Sequence, residues 1–202
     1  MARNFTQHSP LILATIFLSS TNSAKVTTGI DEQAQLPYWE LNEPNLSLRI
    51  VQRLPDQTRA YFSGRGFNKL ESDFIASHCF FQNIFRNTST ATKPHQLEYD
   101  LTQWQINYHQ KTYSLLLREN WQNIWAQRDV KSAQKIAFEW SLLPTKQEYL
   151  AADYNWGMSS YPLPHGANFD LNVVWFIDGQ KNQTTISNIQ CAKDIELSPV
   201  EE

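Results

Sequence analysis

At 202 residues the chain has the length of one domain with tails. Its formal charge of −3 and the absence of any basic run exclude a phosphate-backbone binder and a polybasic membrane patch. The 7 Trp, 8 Tyr and 11 Phe against 6 Gly favour strands, because aromatic and β-branched side chains pack well on a pleated surface.

Residues 1–24 read as an export signal. Arg3 supplies a positive start, residues 11–18 an apolar segment, and Asn22-Ser23-Ala24 a small residue before a cut. The apolar run is far short of the roughly 20 residues a bilayer crossing takes, so no transmembrane segment is expected in the mature chain. That chain should begin near Lys25 and be exported, periplasmic or extracellular. An oxidising address makes a disulfide between Cys79 and Cys191 the preferred reading over free thiols or a soft metal pair.

Residues 25–45 look like an irregular lead-in, and residues 46–194 like a β-sandwich domain. Leu46, Leu48 and Ile50 alternate with polar neighbours, predicting a half-buried strand over 46–54. Pro55 opens a turn, and residues 59–67 should return as a second strand, bulged at Gly64 and Gly66. Residues 73–87 predict a third strand, apolar on both faces or broken midway. Alternation from Leu97 through Ile106, a turn at 107–110 and a returning strand over 112–118 come next. Residues 119–130 are the one helical passage, with Trp121 and Trp125 four apart on one face and read as core. Ile136, Phe138, Trp140 and Leu142 then alternate as a further strand ending at Pro144. Residues 195–202 should be a loose polar tail.

The stretch Leu163-Pro164-His165-Gly166-Ala167-Asn168-Phe169 leads into a strict alternation, Phe169, Leu171, Val173, Trp175 and Ile177 on one face. Its Leu-x-x-Gly-x-x-aromatic spacing resembles the corner by which immunoglobulin-like and fibronectin type III-like sandwiches turn into their penultimate strand. Those families usually place a tyrosine there. Phe169 keeps the packing of that ring and lacks its hydroxyl bond. Asp178-Gly179 signals a hairpin, with a loop over 180–183 and a partner strand over 184–192. The expected fold is therefore all-β, an immunoglobulin/fibronectin III-like antiparallel β-sandwich of about eight strands with one short helical connection.

No sequence signature of catalysis is present: no Gly-x-Ser-x-Gly, His-Glu-x-x-His, phosphate loop or Cys-x-x-Cys. His78, His95, His109 and His165 are not spaced as a pair on one element. The most unusual passage is the connection holding Asp153, Tyr154, Trp156, Met158 and Tyr161, running on to His165. Loops at the end of a sandwich are a usual place for binding, and aromatic faces offer large area with little rotamer entropy to lose. The same rings could instead plug the open end of the core. The leading expectation is an exported, non-catalytic binding or assembly-accessory module with a protein or carbohydrate partner and no cofactor. The alternative is an exported copper-binding protein using Met158 and His165, and the third a hydrolase with an unlocated site. Asn45, Asn87 and Asn182 head glycosylation triplets, which arise often by chance.

Overall fold

Alternating hydrophobicity over most of the chain builds two antiparallel sheets, described here for residues 25–194 from a computed structural model. The first elements are β1 (Lys25–Ile30), β2 (Pro37–Glu43), β3 (Leu46–Gln52), α1 (Pro55–Ser63), α2 (Lys69–Ala76) and β4 (Cys79–Asn87). Next come β5 (Leu97–Asp100), a single 3-10 turn (Leu101–Gln103), β6 (Gln105–Tyr108), β7 (Lys111–Tyr113), α3 (Arg118–Trp125) and α4 (Ser132–Ser141). The chain continues through β8 (Lys146–Tyr149), β9 (Tyr154–Tyr161), β10 (Asn168–Ile177) and β11 (Gln180–Gln190).

One sheet has the order β1-β2-β3-β4-β9. The other is organised on β10, which pairs along one side with β11. Its other side pairs with β6 at Asp170–Asn172 and with β5 at Trp175–Ile177. β7 and β8 extend those two strands outward.

The sheets share one core. Leu41, Leu48, Ile50, Phe81 and Phe85 from the first meet Tyr99, Ile106, Leu171, Val173 and Ile186 from the second, all buried. Phe85 stacks on Tyr149 at 5.2 Å, and Phe81 meets Phe169 edge-on at 6.0 Å. Each such ring contributes about 1.5–3 kcal/mol by leaving water. Cys79 and Cys191 are joined by a disulfide, Cα to Cα 5.5 Å, which stitches the start of β4 to the residue after β11.

A third layer covers part of the first sheet. Phe80 on β4 and Met158 on β9 point away from the inter-sheet core and lie under Phe62, Phe67, Ile75, Trp121, Trp125 and Phe138 of the helical segments. Trp121 and Trp125 are core residues, their rings 5.1 Å apart.

The helical content exceeds the single connection read from the sequence. Residues 59–67 belong to α1 and its C-terminal turn: Pro55 sits at the first helical position, and the Gln57 side chain accepts the Leu54 N–H at 3.2 Å. Gly66, with φ +86°, belongs to the turn after the helix instead of a strand bulge. The 73–87 passage is broken, as one of its two readings had it: α2 ends at Ala76 and β4 begins at Cys79.

The alternation at 136–142 also falls on a helix, α4, which ends at Ser141 with Leu142 as its extended C-cap. Phe138 and Leu142 form one i,i+4 pair that is buried, while Ile136 and Trp140 form another, 56% and 82% exposed, on the opposite face. Ala, Gln, Lys and Glu between them favour the helix. The expected strand over 112–118 shortens to β7, which ends at Tyr113: the chain then crosses to the first sheet, where the Leu116 N–H donates to the Ser160 carbonyl at 2.9 Å, before α3 starts at Arg118.

The 25–45 lead-in is two paired strands, β1 and β2. The hairpin of β10 and β11 has a two-residue turn, Asp178-Gly179, with φ +48° and +78°, so β11 starts at Gln180 with no loop before it. Gly166, at φ +75°, makes the corner between β9 and β10, and Phe169 packs on Tyr161 at 5.2 Å. The segments read as an export signal (1–24) and a loose polar tail (195–202) lie outside the described residues.

The disulfide closes a separation of 112 residues. In the chain-entropy model such a loop stabilises by about 4–5 kcal/mol. Urea unfolding with and without reductant should therefore show a loss of that order, matched by Cys79→Ala with Cys191→Ala.

Candidate functional site

The passage expected to be an open loop is β9, the edge strand of the first sheet. Its pleat sends Tyr154, Trp156, Met158 and Ser160 to the outer face and Asn155, Gly157, Ser159 and Tyr161 inward. Leu143 N–H donates to the Met158 carbonyl at 2.9 Å, laying residues 142–143 along this edge. That approach requires Gly157: a Cβ there would stand 2.8 Å from Leu143 N.

The strand separates the residues that the sequence groups together. Asp153 closes the preceding turn, its Oδ2 accepting the Leu150 N–H at 3.0 Å. Tyr154 and Trp156 stand on the surface, 59% and 64% exposed. Met158 is sealed beneath the helices. Tyr161 is in the inter-sheet core, where burial pushes its phenol pKa well up. His165 faces the Ala76 carbonyl with Nε2 at 2.7 Å, and its Nδ1 lies 3.7 Å from Asp194.

For copper this is a poor fit. Met158 is enclosed in an apolar cluster that does not include His165, whose Nε2 is already engaged. Among the described residues no three His, Cys, Asp or Glu side chains are grouped to hold a metal ion. His78 lies between Phe74 and Trp121, and burial holds its pKa below the ordinary value. Of the glycosylation triplets, Asn87 is inaccessible: its amide donates to the carbonyls of His95 and Tyr149 at 2.7 and 3.1 Å inside the protein.

What the helices leave uncovered is the other half of the first sheet's outer face. Trp156 pairs opposite Ile84, and Tyr154 opposite Arg86. Next to Ile84 the face deepens into a cleft of about 330 Å³. Val51, Gln82 and Ile84 line it from the sheet, Asp31, Gln33, Ala34 and Leu36 from the β1–β2 turn, Arg53 from the link between β3 and α1, and Gln57 from α1.

Arg53 lies over the Tyr61 ring at 4.8 Å, and its Nε is buried with no hydrogen-bond partner. Burial holds its pKa below the ordinary value. Asp31, across the cleft, is committed elsewhere. It accepts the Ala34 and Gln33 N–H groups at 2.8 and 3.1 Å and pairs with Arg49 at 2.9 Å.

No family model, no curated protein and no solved structure matches this chain.

A larger cleft, about 730 Å³, opens between α1 and α2 around Arg59. Its charges are spent on one another. Arg59 pairs with Asp56 at 2.6 Å, Asp73 at 3.1 Å and Asp194 at 2.5 Å, and Lys69 takes the other oxygen of Asp73. This hub fastens the segment after β11 to the helices.

Sequence reasoning placed Tyr154 and Trp156 at the site and missed Arg53, Gln82 and Ile84. Gln82 and Ile84 share β4 while Arg53 follows β3, and only the β3–β4 register (Val51 opposite Gln82) brings the two segments side by side.

Two stability measurements test this placement. Trp156→Ala should change the unfolding free energy by under about 1 kcal/mol, since the ring is largely solvated, whereas Trp121→Ala should cost about 3–5 kcal/mol. Acid should act through the carboxyls of Asp31 (bonded by Ala34), Asp73 (by Lys69) and Asp178 (by His95), all held below the ordinary 3.8. A lowered folded pKa stabilises above 3.8, and that contribution is lost as pH falls through the folded values. The urea midpoint should hold at neutral pH and drop below about pH 4, less steeply in Asp31→Asn.

Proposed function

We propose that this protein is an exported, non-catalytic binding or assembly-accessory module whose contact surface is the uncovered outer face of the first sheet. The observation that carries the reading is the exposure of Trp156 beside Tyr154 on the half of that face not roofed by helices. Tryptophan and tyrosine dominate the energetics of interfaces because their rings desolvate a large area while few torsions are frozen. A strand presents them more rigidly than a loop would. Export is supported by the disulfide, which persists in an oxidising compartment, and by the signal-like first 24 residues. Among the described residues no helix is long and apolar enough to cross a membrane. The left-handed Gly166 corner, with Phe169 packed on Tyr161, supports an immunoglobulin/fibronectin III-like type for the sandwich.

The test is recovery of a partner from the native compartment by wild type, Trp156→Ala and Trp140→Ala. Trp140 is the control, 82% exposed on α4. Loss confined to Trp156→Ala, at unchanged melting temperature, is the expected result. Equal recovery by all three proteins removes this face from the function.

A further inference from the structure

Seven arginines lie among the described residues, and they fall into two groups. Arg49, Arg59, Arg118 and Arg128 each reach a carboxylate within 4.0 Å. Arg53, Arg65 and Arg86 reach none. All three rest on tyrosine rings, Arg53 and Arg65 on Tyr61 at 4.8 and 3.3 Å and Arg86 on Tyr154 at 5.2 Å, as the acid-paired Arg49 does on Tyr38 at 3.8 Å. Tyr154 stands on the uncovered face opposite Arg86, and Tyr61, on α1, lies under the Arg53 that lines the cleft. Arg53 is half-buried: its Nη2 donates to the Gln57 carbonyl at 3.4 Å, while its Nε is buried without a partner and the cation has no counter-charge, an unfavourable arrangement in the free protein with open volume beside it.

The spacing of the free charges sets the shape of an occupant. Gln52 pairs with Phe81, so Arg53 stands near the level of Phe80, and Arg86 is six residues further along β4. At about 3.3 Å per residue the two cations are roughly 20 Å apart along the strand. Between them the surface offers Ile84 and Trp156, and the one intervening arginine, Arg49, is taken by Asp31 and Glu40. A small carboxylate would satisfy one end only. A uniform acidic polysaccharide would bring a carboxylate to every ring, including the apolar middle.

We propose that this face docks an extended acidic segment of a partner polypeptide, with one carboxylate on Arg53 in the cleft and one on Arg86. Apolar side chains of the segment cover Ile84 and Trp156 between them. The assignment rests on the binding-module reading and names its partner's chemistry. Charge-assisted bonds from a guanidinium to a carboxylate supply the register, and the rings behind each guanidinium hold it in place before the partner arrives.

The probe is a fluorescein-labelled peptide, Glu-Glu-Val-Ala-Val-Ala-Glu-Glu, compared by polarisation with its counterpart carrying glutamine for every glutamate. The acidic peptide should bind the wild-type protein at least about tenfold more tightly than the glutamine peptide, and added salt should weaken it. Arg53→Gln and Arg86→Gln should each lose about fivefold or more, and Arg53→Lys should retain part of the affinity. Arg86 is exposed, so its variant reports even if removing Arg53 disturbs the fold. Equal affinity for the two peptides, unchanged affinity in both glutamine variants, or tighter binding of hexagalacturonate than of the acidic peptide each overturns the assignment. No binding of either peptide overturns it as well. If Trp156→Ala still loses its native partner while the peptides bind alike, the binding-module reading stands and the acidic segment falls.

Discussion

Strand β4 has to bury both of its faces, and the rest of the architecture answers to that. Phe81 and Phe85 enter the core between the sheets, while Phe80 enters a second apolar cluster on the outside. A two-layer sandwich leaves one face of each sheet in water, so a strand with aromatics on both sides needs a third layer. The chain supplies it twice. Between β3 and β4 it inserts α1 and α2, and between β7 and β8 it inserts α3 and α4. Both insertions fold onto the same half of the first sheet, and their aromatic rings interlock there: Phe62 with Phe138 at 4.9 Å, Trp121 with Phe138 at 4.6 Å.

The roof is shorter than the sheet. It covers Phe80, Met158 and Ser160, and stops before Ile84, Trp156 and Tyr154. The exposed aromatics are thus the continuation of a face buried a few residues earlier, which explains why one strand holds both a core methionine and a surface tryptophan. The division of charge follows the same border. Around the helices, carboxylates and cations are matched, most densely at Arg59. Around the open half Arg49 has Asp31 and Glu40, while Arg53 and Arg86 lean on tyrosines and reach no acid. Tight closure on one half and unspent charge on the other are the physical contrast on which the functional reading stands.

Much of the sandwich was legible because it depends on local signals. The period-two run of β10 and the Asp178-Gly179 turn specify a hairpin within one stretch of chain. The helices were harder. Alternation at Ile136, Phe138, Trp140 and Leu142 satisfies a strand and also satisfies two i,i+4 pairs on opposite helix faces. Nothing in those four positions says which pair will be covered. The same limit applies to the candidate site. Aromatic residues drew attention to Tyr154 and Trp156, but Arg53 is an ordinary basic residue until β3, α1 and the β1–β2 turn close around it.

What the sequence determined by itself was the strand-rich class, the last hairpin, the left-handed corner at Gly166 and the eligibility of two cysteines for one bond. Each follows from backbone preference or covalent chemistry that neighbours in the chain already express. Only the tertiary structure decided which segments became the helical roof, which face of β9 stayed in water and which arginines went without a carboxylate. Those outcomes depend on which surfaces meet across 100 residues of intervening chain, as Arg59 and Asp194 do at a separation of 135, and burial is a property of that meeting, not of the residue.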